Sequence, residues 1–143
     1  MQYCTLVYGT LRPGGRNYDY FLKGLTVHEE NIRLSGFTMY GGATFPYVTK
    51  GGNDEIVATM VHIDPDVYDS VLSRLDYLEG CEDKNDPYNR YDRILHSFEI
   101  NGVEYKGWIY VAANQYIGEL ARSLPVLEDG DWISHMEKSN QFY

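Results

Sequence analysis

Cysteine, basic charge and long apolar runs are what this 143-residue chain has least of. Its two cysteines, Cys4 and Cys81, are far apart and form no Cys-x-x-Cys motif. That argues against a disulfide framework and reads as two reduced thiols. No uninterrupted apolar stretch approaches the ~18 residues of a membrane-spanning helix. The start of the chain lacks the basic residues and long apolar centre of a secretory signal, so a cytoplasmic location is expected. Lysine and arginine number 12 against 21 acidic residues, a net charge of −9. This disfavours nucleic acid and membranes as partners, since both call for clustered cations. It leaves room for a small anionic ligand, which one local arginine can hold. His28, His62, His96 and His135 are dispersed without ligand spacing, and Glu82, Asp83 and Asp86 lack the calcium-loop pattern. Neither a metal nor a cofactor is expected.

What is present suffices for a core. Hydrophobic residues make up 43%, and a domain of this length buries about 68–70% of the surface its unfolded chain exposes. A single domain over residues 1–143 is expected, as a monomer or weak homodimer.

Strands are expected over Tyr3–Tyr8, Leu34–Tyr40 and Ile56–Ile63, and a short helix over Tyr18–Lys23, ended by Gly24. The region Gly41–Asn53 carries Pro46, Gly51 and Gly52 and reads as mostly turn and loop. The next helix is the best specified. Asp64 caps it and Pro65 fits its first position. Val67, Tyr68, Val71, Leu72, Leu75 and Leu78 form one apolar stripe, and Gly80 supplies a left-handed stop. Glu79 then takes the last helical position, at the edge of the buried face. Asn101-Gly102 is a two-residue hairpin signal between Tyr91–Ile100 and Val103–Val111. That register pairs Ile100 with Val103, Phe98 with Tyr105, Leu95 with Trp108 and Arg93 with Tyr110, and sets Glu99 opposite Glu104. Tyr91, Arg93, Leu95, Trp108 and Tyr110 then share a face. A weak helix around Gln115–Ser123 and the stretch Asp129-Gly130-Asp131-Trp132 follow.

The chemistry concentrates in two places. In Leu6-Val7-Tyr8-Gly9-Thr10-Leu11-Arg12-Pro13-Gly14-Gly15 an apolar strand runs into a glycine-opened loop, whose backbone N–H groups can approach a ligand closely. Alone, such a segment is an ordinary strand end, and it lacks the Gly-Lys-Ser/Thr ending of a phosphate cradle. The second place is Glu79. A negative charge in a helix's last turn opposes the helix dipole, at a cost of a few tenths of a kcal/mol. That misfit points to a role, and Leu75 and Leu78 beside it favour a raised pKa. Asp76, one turn earlier, is the competing acid or is simply solvated. Arg93 is either a surface ion-pair partner or a pocket residue beside Tyr110. The 14 tyrosines are mostly amphipathic packing residues.

Taken in order, Val7-Tyr8-Gly9-Thr10-Leu11-Arg12, Phe45-Pro46, Leu75-Asp76-Tyr77-Leu78-Glu79-Gly80, Tyr91-Asp92-Arg93 and Gly130-Asp131-Trp132 span nearly the whole chain. The set resembles the gamma-glutamylcyclotransferase-like family, and its Tyr-Gly-Thr-Leu version is similar to the gamma-glutamylamine cyclotransferase branch. The resemblance implies an α+β fold, a small, mostly antiparallel β-barrel flanked by two or three helices. It implies intramolecular aminolysis, in which the α-amine of a γ-glutamyl group attacks its own γ-carbonyl and releases 5-oxoproline and a free amine.

By the same resemblance Glu79 moves the proton, and Tyr8, Gly9, Thr10 and Leu11 hold the glutamyl part. Pro46, Tyr91, Arg93 and Tyr110 are expected to complete the substrate site. Of the overlapping pairs Tyr88-Asn89-Arg90 and Tyr91-Asp92-Arg93, the second is preferred because it leads directly into a strand. Departures are Ala58-Thr59 where many relatives carry Gly-Glu, and a longer acidic stretch between Gly80 and Tyr91. Phe45–Val48 and Cys81–Tyr88 are expected to form the rim that selects the leaving amine. The alternative on the same fold is a non-catalytic module that binds a small metabolite.

Overall fold

In the computed structural model, which describes residues 2–81 and 90–139, the strands are β1 (Cys4–Val7), β2 (Thr26–Gly41), β3 (Pro46–Ile63), β4 (Tyr91–Ile100) and β5 (Val103–Ala112). The helices are α1 (Tyr18–Phe21), α2 (Tyr68–Leu78), α3 (Asn114–Ser123) and α4 (Trp132–Lys138). The strands form one sheet in the order β2-β3-β1-β5-β4. β1 pairs parallel to β5 and antiparallel to β3, and the other pairings are antiparallel. β2 and β4 are the outer strands and share no ladder. The sheet curls enough that Phe37 on β2 meets His96 on β4 edge to face, with ring centroids 4.8 Å apart.

β1 is covered on both faces, so all of its residues are buried. Cys4 and Leu6 point into one core with Leu34, Phe37, Met39, Ile56, Met60, Ile109 and Trp132. Val7 points into the other, with Val61, Ile63, Tyr110 and the buried α2 stripe of Tyr68, Val71, Leu72 and Leu75. Each such side chain contributes about 1.5–3 kcal/mol of transfer free energy, which fixes α2 across the middle of the sheet.

The segment Gly41–Asn53, read from sequence as turn and loop, is mostly strand. β2 and β3 form a long hairpin, with Phe37 paired to Lys50 and Gly41 to Pro46. Gly51 and Gly52, at φ +121° and +83°, serve a bulge. Ser35 pairs with Glu55 but Phe37 with Lys50, so a wide irregularity interrupts the ladder without ending it. β2 also begins eight residues before the expected Leu34, because a polar sequence suits an outer strand with one wet face.

The other departures are small. The helix expected over Tyr18–Lys23 stops at Phe21, and Asp64 caps a 3₁₀ turn, Pro65–Val67, that leads into α2. The β4–β5 hairpin has the expected register residue for residue. Its turn residues sit at φ +51° (Asn101) and +81° (Gly102), as a type I′ turn requires.

Gly130 and Gly24 both have positive φ, but only Gly130 is enclosed. A Cβ there would lie 2.2 Å from the Glu55 carbonyl oxygen, whereas at Gly24 it would meet nothing within 4 Å. Gly24→Ala should therefore cost about 1 kcal/mol of backbone strain. Gly130→Ala should cost more, because the backbone must also move. Urea titrations of the two variants check this, and equal midpoints would contradict it.

Candidate active site

The loop after β1 is two consecutive turns. The Arg12 N–H donates to the Gly9 carbonyl (3.1 Å) and the Gly15 N–H to the Arg12 carbonyl (2.7 Å). In the second turn Pro13 occupies the position that its fixed φ suits, and Gly14 the next at φ +92°, the signature of type II. Asn17 closes the loop, its N–H on the Thr10 carbonyl (3.0 Å) and its side-chain amide on Thr10 Oγ1 (2.8 Å). Arg12 anchors it from below. Its buried guanidinium donates from Nε to Thr59 Oγ1 (3.3 Å) on β3 and pairs through Nη1 with Asp131 (3.1 Å). Asp131 also caps α4 by accepting from the Ser134 N–H. No hydrogen bond ties the N–H groups of Gly9, Thr10 or Leu11 to the protein among the described residues.

Opposite the loop, α2 ends in a Schellman motif. The Cys81 N–H reaches back to the Asp76 carbonyl (2.8 Å), the Gly80 N–H to that of Tyr77 (3.2 Å), and Gly80 has φ +66°. Glu79 is thus the C-cap, one residue beyond the helical position expected. Loop and helix end face each other across a cavity of about 250 Å³. Its lining includes Tyr8, Gly9, Thr10, Leu11, Pro46, Glu79, Tyr91 and Tyr110, all singled out from the sequence. Desolvation pushes the Glu79 carboxyl from 4.5 up to about 7, against the pull of the Arg90 charge. Among the described residues its carboxylate has no hydrogen-bond partner in the protein.

Gly9 is glycine for a steric reason. A Cβ there would lie 2.9 Å from the Pro46 ring. The Pro46 carbonyl in turn accepts from Tyr91 Oη (3.0 Å), and the Tyr91 ring stacks on Tyr47 at 5.4 Å. Tyr8 Oη donates to the Tyr110 carbonyl (2.6 Å). Burial drives the hydroxyl pKa of Tyr8, Tyr91 and Tyr110 upward, so these groups stay protonated near neutrality.

Arg93 lies outside this lining. It is on the expected face of β4, but that face extends beyond the cavity. Its Nε donates to Asp76 Oδ1 (3.1 Å) and its guanidinium lies 4.5 Å from the Trp108 ring centroid. Asp76 is correspondingly more than a solvated acid, since it also accepts from Tyr110 Oη (2.7 Å) and so fixes one cavity wall. Two other arginines do line the cavity, Arg90 and Arg16, accompanied by Asn17, Phe45 and Leu78. Arg16 and Asn17 were missed by the sequence reading. The signal was there in Pro13-Gly14-Gly15, which turns the chain back so that residues 16 and 17 return to the mouth. Thr59 connects Arg12 to Asn31, whose Oδ1 it meets at 2.8 Å. Tyr88, Asn89 and the acidic stretch Glu82–Pro87 lie outside the described residues.

Residues 5–134 match the sequence profile of the family described as gamma-glutamyl cyclotransferase, AIG2-like. No curated protein sequence matches the chain. Among solved structures, protein ytfP from Escherichia coli superposes with TM-score 0.59 at 19% identity, covering 92% of this chain and 97% of that one. At5g39720.1 from Arabidopsis thaliana gives TM-score 0.59 at 19% identity over 98% and 86%. The uropathogenic E. coli-specific protein c4763 gives 0.54 at 15% over 99% and 98%. At these identities the structures share the fold.

The raised pKa of Glu79 has a consequence for stability. Its carboxyl ionises near 4.5 when unfolded and near 7 when folded, so between these values the folded state holds the extra proton and stability falls as pH rises. Glu79→Gln removes that titration. The variant should gain stability relative to the parent at pH 8 and lose the advantage at pH 4.5, as thermal melts at the two pH values will show.

Proposed function

The chain belongs to the AIG2-like gamma-glutamyl cyclotransferase family, and from that premise we propose that it releases 5-oxoproline and a free amine from a γ-glutamyl amine or γ-glutamyl amino acid, with Glu79 as the acid/base. The observation that carries the reading is the Glu79 carboxylate, desolvated, without a protein hydrogen bond among the described residues, and facing the glycine loop across a small cavity.

The reaction needs little from the protein beyond folding the substrate and moving protons. Holding the α-amine against the γ-carbonyl of the same molecule supplies much of the acceleration. Ionised Glu79 takes one proton from the α-ammonium. The freed amine nitrogen bonds to the γ-carbon, and the C–N bond to the leaving group breaks as the protonated carboxyl returns that proton to the leaving nitrogen. The second α-ammonium proton passes from the ring nitrogen, through the regenerated Glu79 carboxylate, to the leaving amine, which departs as its ammonium with both protons accounted for. A carboxyl titrating near 7 suits both halves at neutral pH. The N–H groups of Gly9, Thr10 and Leu11 are available to the substrate carboxylate or to the oxyanion formed on the γ-carbon. Tyr8 and Tyr110 close the apolar wall behind it.

The test is 5-oxoproline release from a panel of γ-glutamyl compounds. Glu79→Gln should lower kcat/KM by about 100-fold or more, the usual contribution of a general acid/base. In the parent enzyme kcat/KM should rise with pH through about 7 as Glu79 ionises. A flat profile, or full activity in the variant, would remove Glu79 from the role. Tight binding of a panel member without turnover, equal in both proteins, would establish a binding module instead.

A further inference from the structure

A second cavity, of about 470 Å³, adjoins the first and shares Phe45 and Arg90 with it. Its remaining walls include Tyr47 and, from α3, Tyr116, Glu119 and Leu120. With a γ-carbonyl held near Glu79, the substituent on the leaving nitrogen must exit the first cavity, and this space lies beside it.

The charges at the junction narrow what fits. A protein of net charge −9 nonetheless places two arginines, Arg16 and Arg90, on the lining of the first cavity. Arg16 belongs to the loop side, next to Asn17. Arg90 stands at the boundary with the second cavity. Its backbone is pinned from both sides, the N–H donating to the Gly80 carbonyl (3.2 Å) and the carbonyl accepting from Ala113 (3.0 Å) just before α3. Its guanidinium lies 5.7 Å from the Phe45 ring centroid. A γ-glutamylamine carries one carboxylate. A γ-glutamyl α-amino acid carries two, the second on the carbon that bears the leaving nitrogen.

Beyond that carbon the surroundings become aromatic. Phe45 and Tyr47 have ring centroids 5.4 Å apart, and Tyr116 and Leu120 face the same space. The exposed Glu119 on the rim repels a third carboxylate.

We propose that the second cavity is the leaving-group subsite and takes the large apolar or aromatic side chain of an α-amino acid whose α-carboxylate faces Arg90. This rests on the cyclotransferase reading and names its substrate class, a γ-glutamyl dipeptide with a bulky apolar second residue.

The experiment measures 5-oxoproline release from γ-glutamyl-phenylalanine, γ-glutamyl-glycine, γ-glutamyl-glutamate and γ-glutamyl phenethylamide, the last having the aromatic arm without its carboxylate. The phenylalanine compound should exceed the phenethylamide about tenfold in kcat/KM, the worth of a charge-assisted hydrogen bond. It should exceed the glycine compound by a similar factor through its side chain. Arg90→Gln should bring the first ratio towards one, and Tyr116→Ala the second. Glu119→Gln should raise the rate with γ-glutamyl-glutamate relative to γ-glutamyl-glycine. Ratios cancel any common effect on Glu79, and the parent's own ratios decide the matter if a variant fails to fold. The proposal is overturned if the phenethylamide or glycine compound is the equal of the phenylalanine one, or if neither ratio moves in its variant. No release from any of the four would instead remove the cyclotransferase reading, and this proposal with it.

Discussion

The loop side of the cavity depends on one buried guanidinium. Arg12 projects from the loop after β1 into the space between β3 and the start of α4, where it is almost wholly shielded from water. A charge placed there costs several kcal/mol unless it is paired and hydrogen-bonded. Asp131 and Thr59 provide both, and Asp131 at the same time caps α4. The loop therefore has one low-energy position relative to the sheet. The segment Gly9–Leu11 is held on the cavity lining, because the residue that follows it is locked to the C-terminal part of the chain.

The opposite wall is fixed by independent means. Burial of the α2 stripe sets the helix on the sheet, and the Schellman turn at Gly80 ends it so that Glu79 faces the loop. Asp76 holds Arg93 and the Tyr110 hydroxyl one turn earlier, which leaves Glu79 as the acid on the cavity lining among the described residues. Two carboxylates three residues apart thus have opposite tasks. One is consumed by ion pairing and hydrogen bonding. The other is left desolvated and without a protein hydrogen bond among the described residues, and burial lifts its pKa to about 7 against the pull of the Arg90 charge.

Much of this was legible in the sequence wherever the governing physics is local. The Asn101-Gly102 turn determined the hairpin register to the residue, since only residues tolerant of positive φ allow that tight turn. The apolar stripe and Gly80 located α2 and its end. Local reading failed at Gly41–Asn53, where Gly and Pro suggested a loop. There the outer ladder of β2 and β3 continues through a bulge, because cross-strand pairing on either side outweighs the local preference for turning.

By itself, the sequence determined most of the elements, though not α4 or the opening stretches of β2 and β3, together with the glycine loop and the acid at the helix end, because turn chemistry, capping and hydrophobic period act over a few residues. Tertiary structure alone decided which side chains share the cavity. Arg93 is on the right face of β4 yet is drawn away to Asp76 and Trp108, while Arg90, at the strand's entrance, takes the place on the cavity lining. Likewise the pairing of Arg12 with Asp131 joins residues at opposite ends of the chain. No local rule chooses such a partner, because it is set by where the sheet brings distant backbone together and by the need to neutralise a charge that burial has stripped of water.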